Sequence, residues 1–320
     1  MIKTILVLTI GVILSGCLLA PIIEDVDGET TLEVYVLAGQ SNAAYSLNSE
    51  RCNPDYVDSH VPAPTTKTWY YGTESKPIHN GLSSSTPSDY DTTFESYSLW
   101  EMYRGGHWVI GGDEPALAYE IGERTNADVL IINAGVDNQK ISELLPDTTC
   151  GQYVKEVIDH ALDHIDRTKY TEVNLNGVVW IQGESDNVAN TSVESYKTDF
   201  GVLRNWYTSI GFNQWYIVQI RGLIHDVVAI AQSELADEYN NVKLTDVARG
   251  FTVANGLMTN DDIHYTQEGR DIVGKTVGEM TPENYHMRGG AYNLLKVIPL
   301  LVIVALLMSA VGAIAYRRSD

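Results

Sequence analysis

Basic residues are scarce. Lysine and arginine total 21 against 42 aspartates and glutamates in 320 residues, a formal net charge of −21. A surface of that sign repels phosphate backbones and argues against nucleic acid as a partner. Cysteine is scarcer still: there are three, at positions 17, 52 and 150. The body of the chain shows no internal repeat. Its apolar runs lack clean polar/apolar alternation, so they do not read as half-exposed strands. A metalloprotease signature is missing too. His160 and His164 stand four apart on an expected helix, but the run is His-Ala-Leu-Asp-His, with no glutamate after the first histidine. With Asp159, Asp163 and Asp166 close by, this face reads as solvated, and no metal or cofactor is expected.

Both ends stand apart from the fold. Lys3 precedes an apolar run from Ile5 to Leu14, followed by Ser15, Gly16 and Cys17. Charge, short apolar core and small residues are the layout of an export signal over residues 1–20. Leu14-Ser15-Gly16-Cys17 also has the form of a lipoprotein cleavage box. Residues 297–316 are uncharged, "VIPLLVIVALLMSAVGAIAY", and Arg317 and Arg318 follow at once. Twenty residues at ~1.5 Å rise match a hydrocarbon core of ~30 Å. The trailing arginines place residues 317–320 in the cytoplasm. The expected organisation is a body over 30–285, a stalk over 286–296 and a single-pass transmembrane helix. That puts the body outside a cell surface or envelope membrane. Cys52 and Cys150 then lie in an oxidising compartment, and a disulfide between them is expected.

Within the body, short runs rich in Val, Ile and aromatics occur at Leu32–Leu37, Val129–Asn133, Val178–Ile181, Trp215–Ile220 and Val242–Leu244. Continuous apolar strands imply burial on both faces, hence a parallel sheet. Helical spacing appears between them, at Pro115–Arg124, Tyr153–Ile165, Ser192–Tyr207, Val227–Tyr239 and Thr266–Val277. Strands alternating with helices predict βαβ units and a three-layer α/β/α domain with about five parallel strands. Asn48–His107, rich in Ser, Thr, Pro, Gly and Tyr, reads as a long loop on the ligand side of the sheet.

Three stretches carry chemistry. "AGQSNA", residues 38–43, puts Ser41 at the end of the first strand, and a serine hydroxyl needs a base to act as a nucleophile. "NDDIHYTQEG", residues 260–269, puts Asp261 three positions before His264, a spacing that lets the carboxylate orient the imidazole. "VVWIQGESD", residues 178–186, ends an apolar strand in polar groups: Gln182 can donate to a developing oxyanion, and Glu184 can orient a histidine. Gly39-Gln40-Ser41-Asn42-Ala43 lacks the final glycine of G-x-S-x-G, which argues against an α/β-hydrolase elbow.

Taken together, and in this order, the three blocks resemble the SGNH hydrolases. Within these the likeness is to the sialate O-acetylesterase and carbohydrate esterase family six acetylesterases, from about Leu32 to Val277. The resemblance implies a flavodoxin-like α/β fold and hydrolysis of O-acyl groups on glycans without a cofactor. Ser41 matches the nucleophile, His264 the base and Asp261 its acid, with Glu184 as an alternative or additional acid. The oxyanion would be held by the Ser41 N–H, Gln182 and a second-block backbone N–H, for which Gly112 is the candidate. Gln40, Asn42 and Asn138 are the substrate-binding candidates. Two features depart from the family. Glu114 stands directly before Pro115 in "GGDEPALAYEIG", and Asp137-Asn138-Gln139 replaces a Gly-Gly-Thr run. The rival reading of the same residues is a surface glycan-binding protein that has lost turnover.

Overall fold

The computed structural model describes residues 30–44, 52–73, 97–221 and 226–283. The expected export signal, Cys17, the stalk and the span at 297–316 lie outside these residues. Among the described residues no helix is long and apolar enough to cross a membrane.

Nine strands are described: β1 (Thr30–Gly39), β2 (Thr68–Thr73), β3 (Tyr97–Glu101), β4 (Tyr103–Arg104), β5 (His107–Trp108), β6 (Asp128–Gly135), β7 (Tyr170–Ile181), β8 (Gln214–Val218) and β9 (Val242–Thr245). The helices are α1 (Ser41–Ala44), α2 (Pro54–His60), α3 (Glu114–Thr125), α4 (Thr149–Asp163), α5 (Glu184–Ala189), α6 (Val193–Ile210), α7 (Val227–Glu238) and α8 (Gln267–Met280). Seven strands form one sheet in the order β3-β2-β6-β1-β7-β8-β9, parallel throughout except for β3, which pairs antiparallel with β2. The five strands expected from the apolar runs occupy adjacent places, β6-β1-β7-β8-β9. This is the 2-1-3-4-5 order of flavodoxin-like sheets.

The sheet is larger than the five strands expected. β2 and β3 lie inside the stretch read as a long loop. Its Ser, Thr and Gly content hid a strand whose signal is aromatic, Trp69-Tyr70-Tyr71.

Every residue of β6 and all but the first of β1 are buried, because helices cover both faces. Val34, Val36, Leu130, Ile132 and Trp180 pack on one side against Val154 and Val157 of α4, Phe200 and Leu203 of α6, and Val228 and Leu235 of α7. Tyr35, Leu37, Ile131 and Val179 pack on the other against Leu117 and Ile121 of α3 and Val273 and Val277 of α8.

One expectation fails on this layout. Cys52 and Cys150 are both buried, and no disulfide joins them. Cys150 belongs to the α4 side of the sheet, with its thiol 3.5 Å from Gln139 Oε1, whereas Cys52 lies beside Gly111 on the α8 side, so the sheet separates them. The His160–His164 face is solvated as expected, with His164, Asp159, Asp163 and Asp166 exposed and His160 half-buried. His160 bonds the Tyr71 hydroxyl, and the His164 ring lies against it with centroids 4.4 Å apart. Burial, then the neighbouring His164, lowers the His160 pKa. Among the described residues, no cluster of histidines, cysteines and carboxylates forms a cation site.

Candidate active site

The neighbours of β1 are β6 on one side and β7 on the other, so chain connections diverge at its carboxyl end. Open α/β sheets bind ligands at such a point. The chain leaves β1 through Gly39, whose φ is +136°, and the Gln40 N–H bonds Ile181 O on β7 at 2.9 Å. Gln40 O caps the four-residue α1 by accepting from the Ala43 and Ala44 N–H groups at 2.8 and 3.0 Å. Ser41 opens that helix, where helix geometry provides its backbone N–H with no acceptor. Gln40 Oε1 accepts from the N–H groups of Gly183 (3.4 Å) and Ser185 (3.2 Å), which turns its amide nitrogen away from them.

Asn42 ties this turn to the far end of the domain. Its Nδ2 donates to Ile263 O at 3.1 Å, and its Oδ1 accepts from Tyr265 N at 3.0 Å. The residue after Ser41 thus holds the backbone on both sides of His264, 221 and 223 positions away in the chain. Asn42 is fully enclosed, and its amide serves the fold rather than a ligand.

His264 Nδ1 lies 2.7 Å from Asp261 Oδ2. Partial burial works against the Asp261 anion, but hydrogen bonds outweigh it. The His264 backbone N–H, the Thr259 hydroxyl, the His264 ring and the Ile263 N–H together hold its carboxyl well below the usual range. Arg221 stitches the same loop with bonds of 3.0 Å to Phe251 O and to Asp262 O.

Glu184 is placed differently. It is buried, and its Oε1 accepts from Asn42 Nδ2 at 2.7 Å, while Oε2 has no hydrogen-bond partner. Burial raises its pKa, and the Asn42 bond opposes this. Of the two acids weighed from the sequence, Asp261 touches the histidine and Glu184 braces the residue beside the serine.

The other oxyanion candidates are committed elsewhere. Gln182 is fully buried. Its Nε2 donates to Asp186 Oδ2 at 2.5 Å and Gln139 O at 3.1 Å, and its Oε1 accepts from the Tyr196 hydroxyl at 2.9 Å. Asp186 draws the amide inward because the carboxylate is itself buried, also accepting from Ile141 N at 2.8 Å. The Gly112 N–H bonds Gln267 Oε1 at 2.9 Å, and Gln267 Nε2 returns a bond of 2.9 Å to Gly112 O. Asn138 is exposed on the loop after β6, with φ at +58°.

A buried polar cluster beneath α1 went unrecognised in the sequence. Arg270 Nη1 donates to Asn42 O (2.6 Å) and Asp113 Oδ2 (2.8 Å), and both of these side chains are essentially inaccessible. Asn133 Nδ2 donates to Ala43 O at 3.0 Å and to Glu114 Oε1 at 2.7 Å. The available signal was Arg270 standing on the apolar stripe of its helix, ahead of Val273, Gly274 and Val277. Burial pushes Asp113 up to about 6 despite Arg270, and pushes Glu114 up to about 8, with repulsion from Asp113 adding to it.

A test of the cluster follows from that last direction. The Glu114 pKa is raised on folding from its ordinary 4.5, so its contribution to stability is present below 4.5 and is lost as pH rises to about 8. The slope over that window is ~1.4 kcal/mol per pH unit. Glu114→Gln is therefore expected to gain thermal midpoint over the wild type steadily from pH 5 to 8. A constant difference across that range would contradict it.

This layout, a mostly parallel sheet with the Ser41 turn tied to the His264 loop at its switch point, is consistent with an SGNH-like α/β fold. The chain belongs to the carbohydrate esterase, sialic acid-specific acetylesterase family, whose sequence profile it matches over residues 31–282. It is a carboxylic ester hydrolase. Among solved structures it is similar to a carbohydrate acetylesterase from Xanthomonas citri, at 16% identity and a TM-score of 0.51, covering 77% of this chain and 54% of that one. It is also similar to a protein from Arabidopsis thaliana, at 16% identity and a TM-score of 0.49, covering 77% and 96%. At such identities the likeness is one of fold. No curated protein matches the chain in sequence.

Proposed function

We propose that the protein is a serine esterase that removes O-acyl groups, acetyl foremost, from glycans, with Ser41, His264 and Asp261 as its triad. One observation carries this reading. The Asn42 side chain brackets His264 through Ile263 O and Tyr265 N, so the base lies at the residue that follows the nucleophile. The 2.7 Å contact from Asp261 to Nδ1 leaves the other ring nitrogen as the one that can serve Ser41.

In this mechanism Ser41 Oγ bonds the ester carbonyl carbon as His264 takes its proton, and the carbonyl electron pair moves onto oxygen. Collapse expels the sugar oxygen, which takes the proton from His264. Water then attacks the acyl-enzyme with His264 again as base, releasing the carboxylic acid and restoring the serine. The Ser41 backbone N–H, without a helical acceptor, stabilises the oxyanion. Gln182 and Gly112 act as scaffold for the two turns around it, since their donors are already engaged. Residues 297–316 anchor the chain with its body outside a cell or envelope membrane.

The test is the full chain in membranes, offered O-acetylated xylan and O-acetylated sialosides, with released acetate measured. A small fluorophosphonate serves as a serine-directed label. Acetate release, and a label that maps to Ser41, are expected. An intact acetylated panel together with an unlabelled Ser41 would overturn the reading.

A further inference from the structure

The nucleophile turn is held by two parallel relays that begin at consecutive acids. Asp113 Oδ2 accepts from Arg270 Nη1, which also donates to Asn42 O; Glu114 Oε1 accepts from Asn133 Nδ2, which also donates to Ala43 O. Consecutive acids at the start of α3 thereby hold consecutive carbonyls of the turn that opens with Ser41. Arg270 is carried on α8, which starts three residues after His264.

Stability alone accounts poorly for this arrangement. A buried ion pair recovers little beyond its desolvation cost, and apolar residues of the same volume often serve as well. Here Arg270 Nε and Nη2, and Asp113 Oδ1, also find no protein partner. What an apolar pair cannot do is bond the Asn42 carbonyl. We infer that Arg270 and Asp113 are positioning residues for Ser41: through Asn42 O they fix the nucleophile turn in register with the start of α3 and with the helix that follows His264. This rests on the esterase reading for its kinetic consequence, but not for its structural one.

Two variants of the full chain test it. Arg270→Met with Asp113→Leu removes both charges, so no orphan ion is left to unfold the chain. Arg270→Lys keeps the charge, but its shorter side chain holds the ammonium about one bond short of the position from which Nη1 alone reaches both acceptors. With nitrophenyl acetate as substrate, the double variant is expected to lose about 10²-fold in kcat with KM nearly unchanged, because a nucleophile displaced by about 1 Å costs that much. Arg270→Lys should fall between it and the wild type, and fluorophosphonate labelling of Ser41 should slow in step. Amide hydrogen exchange of the peptide over residues 38–44 should quicken in both variants while that over β7 stays unchanged.

Exchange at 38–44 and kcat both matching the wild type in a folded variant would overturn the inference. If the wild type itself neither turned over ester nor took the label, the esterase reading would fall, and the exchange data would still decide the positioning role. If the double variant failed to fold, Arg270→Lys would decide it.

Discussion

Ser41→Ala is expected to reduce ester turnover by about 10⁶-fold in kcat, the scale seen when a triad nucleophile is removed. The whole loss should appear in kcat, since the serine hydroxyl contributes to bond formation and little to ground-state binding. The more discriminating comparison is between the two acids. Asp261 accepts from His264 Nδ1, so Asp261→Asn should leave the imidazole in the wrong tautomer and cost about 10⁴-fold. Glu184 reaches only Asn42, and its second oxygen is unpartnered, so Glu184→Gln keeps a carbonyl oxygen for the Asn42 bond and should cost about tenfold or less. Initial rates on nitrophenyl acetate, with released acetate as a check, separate the two. A Glu184→Gln loss as large as that of Asp261→Asn would move the acid role from Asp261 to Glu184.

That comparison could not be ranked from the chain alone. Asp261 and His264 are local, three residues apart, and the reach of one to the other was legible in "NDDIHYTQEG". Glu184 lies 80 positions before His264, and its choice of Asn42 over the histidine is a tertiary fact. The same limit explains Gln182. A polar amide at a strand tip was visible, but its capture by Asp186 depends on how α5 turns back after Gly183, where φ is +144°. The five central strands were readable because burial on both faces writes a continuous apolar run into the sequence. β2 was not, since its aromatic core sits in polar surroundings and β3 pairs with it from beyond a long intervening stretch.

Arg270 and Asp113 show a different blind spot. Charged residues are read by default as solvated. Arg270 stands on the apolar stripe of its helix and Asp113 directly precedes α3, and only the three-dimensional packing reveals that each is enclosed and what it bonds. The disulfide failed for the converse reason. Compartment and cysteine count make pairing sensible, but they contain no information about which face of the sheet a residue occupies.

Gly39 is the position where a single methyl group should do the most damage to the fold. Its φ of +136° is one that L side chains rarely adopt, and a Cβ built there would lie 2.0 Å from Ile181 O and 2.5 Å from the Ile181 carbonyl carbon. Neither neighbour can retreat: Ile181 O already accepts from Gln40 N at 2.9 Å, and Gly39 O accepts from Val136 N at 2.8 Å. Relief of the overlap means pulling β1 away from β7 at the switch point, where Ser41 is set. Strain of this backbone kind costs ~1–3 kcal/mol by itself. Adding the steric clash brings the total to about 5 kcal/mol, comparable to the whole stability of many domains. Gly39→Ala is therefore expected to yield chain that is mostly unfolded or insoluble. The control is Gly256→Ala: φ there is +78°, yet nothing lies within 4 Å of the added atom, so only the conformational term applies. That variant should fold with a thermal midpoint lowered by a few degrees, on the scale of ~2–4 °C per kcal/mol for a domain this size. If Gly39→Ala melted alongside Gly256→Ala, the β1–β7 contact at the serine turn would have to be looser than this geometry requires.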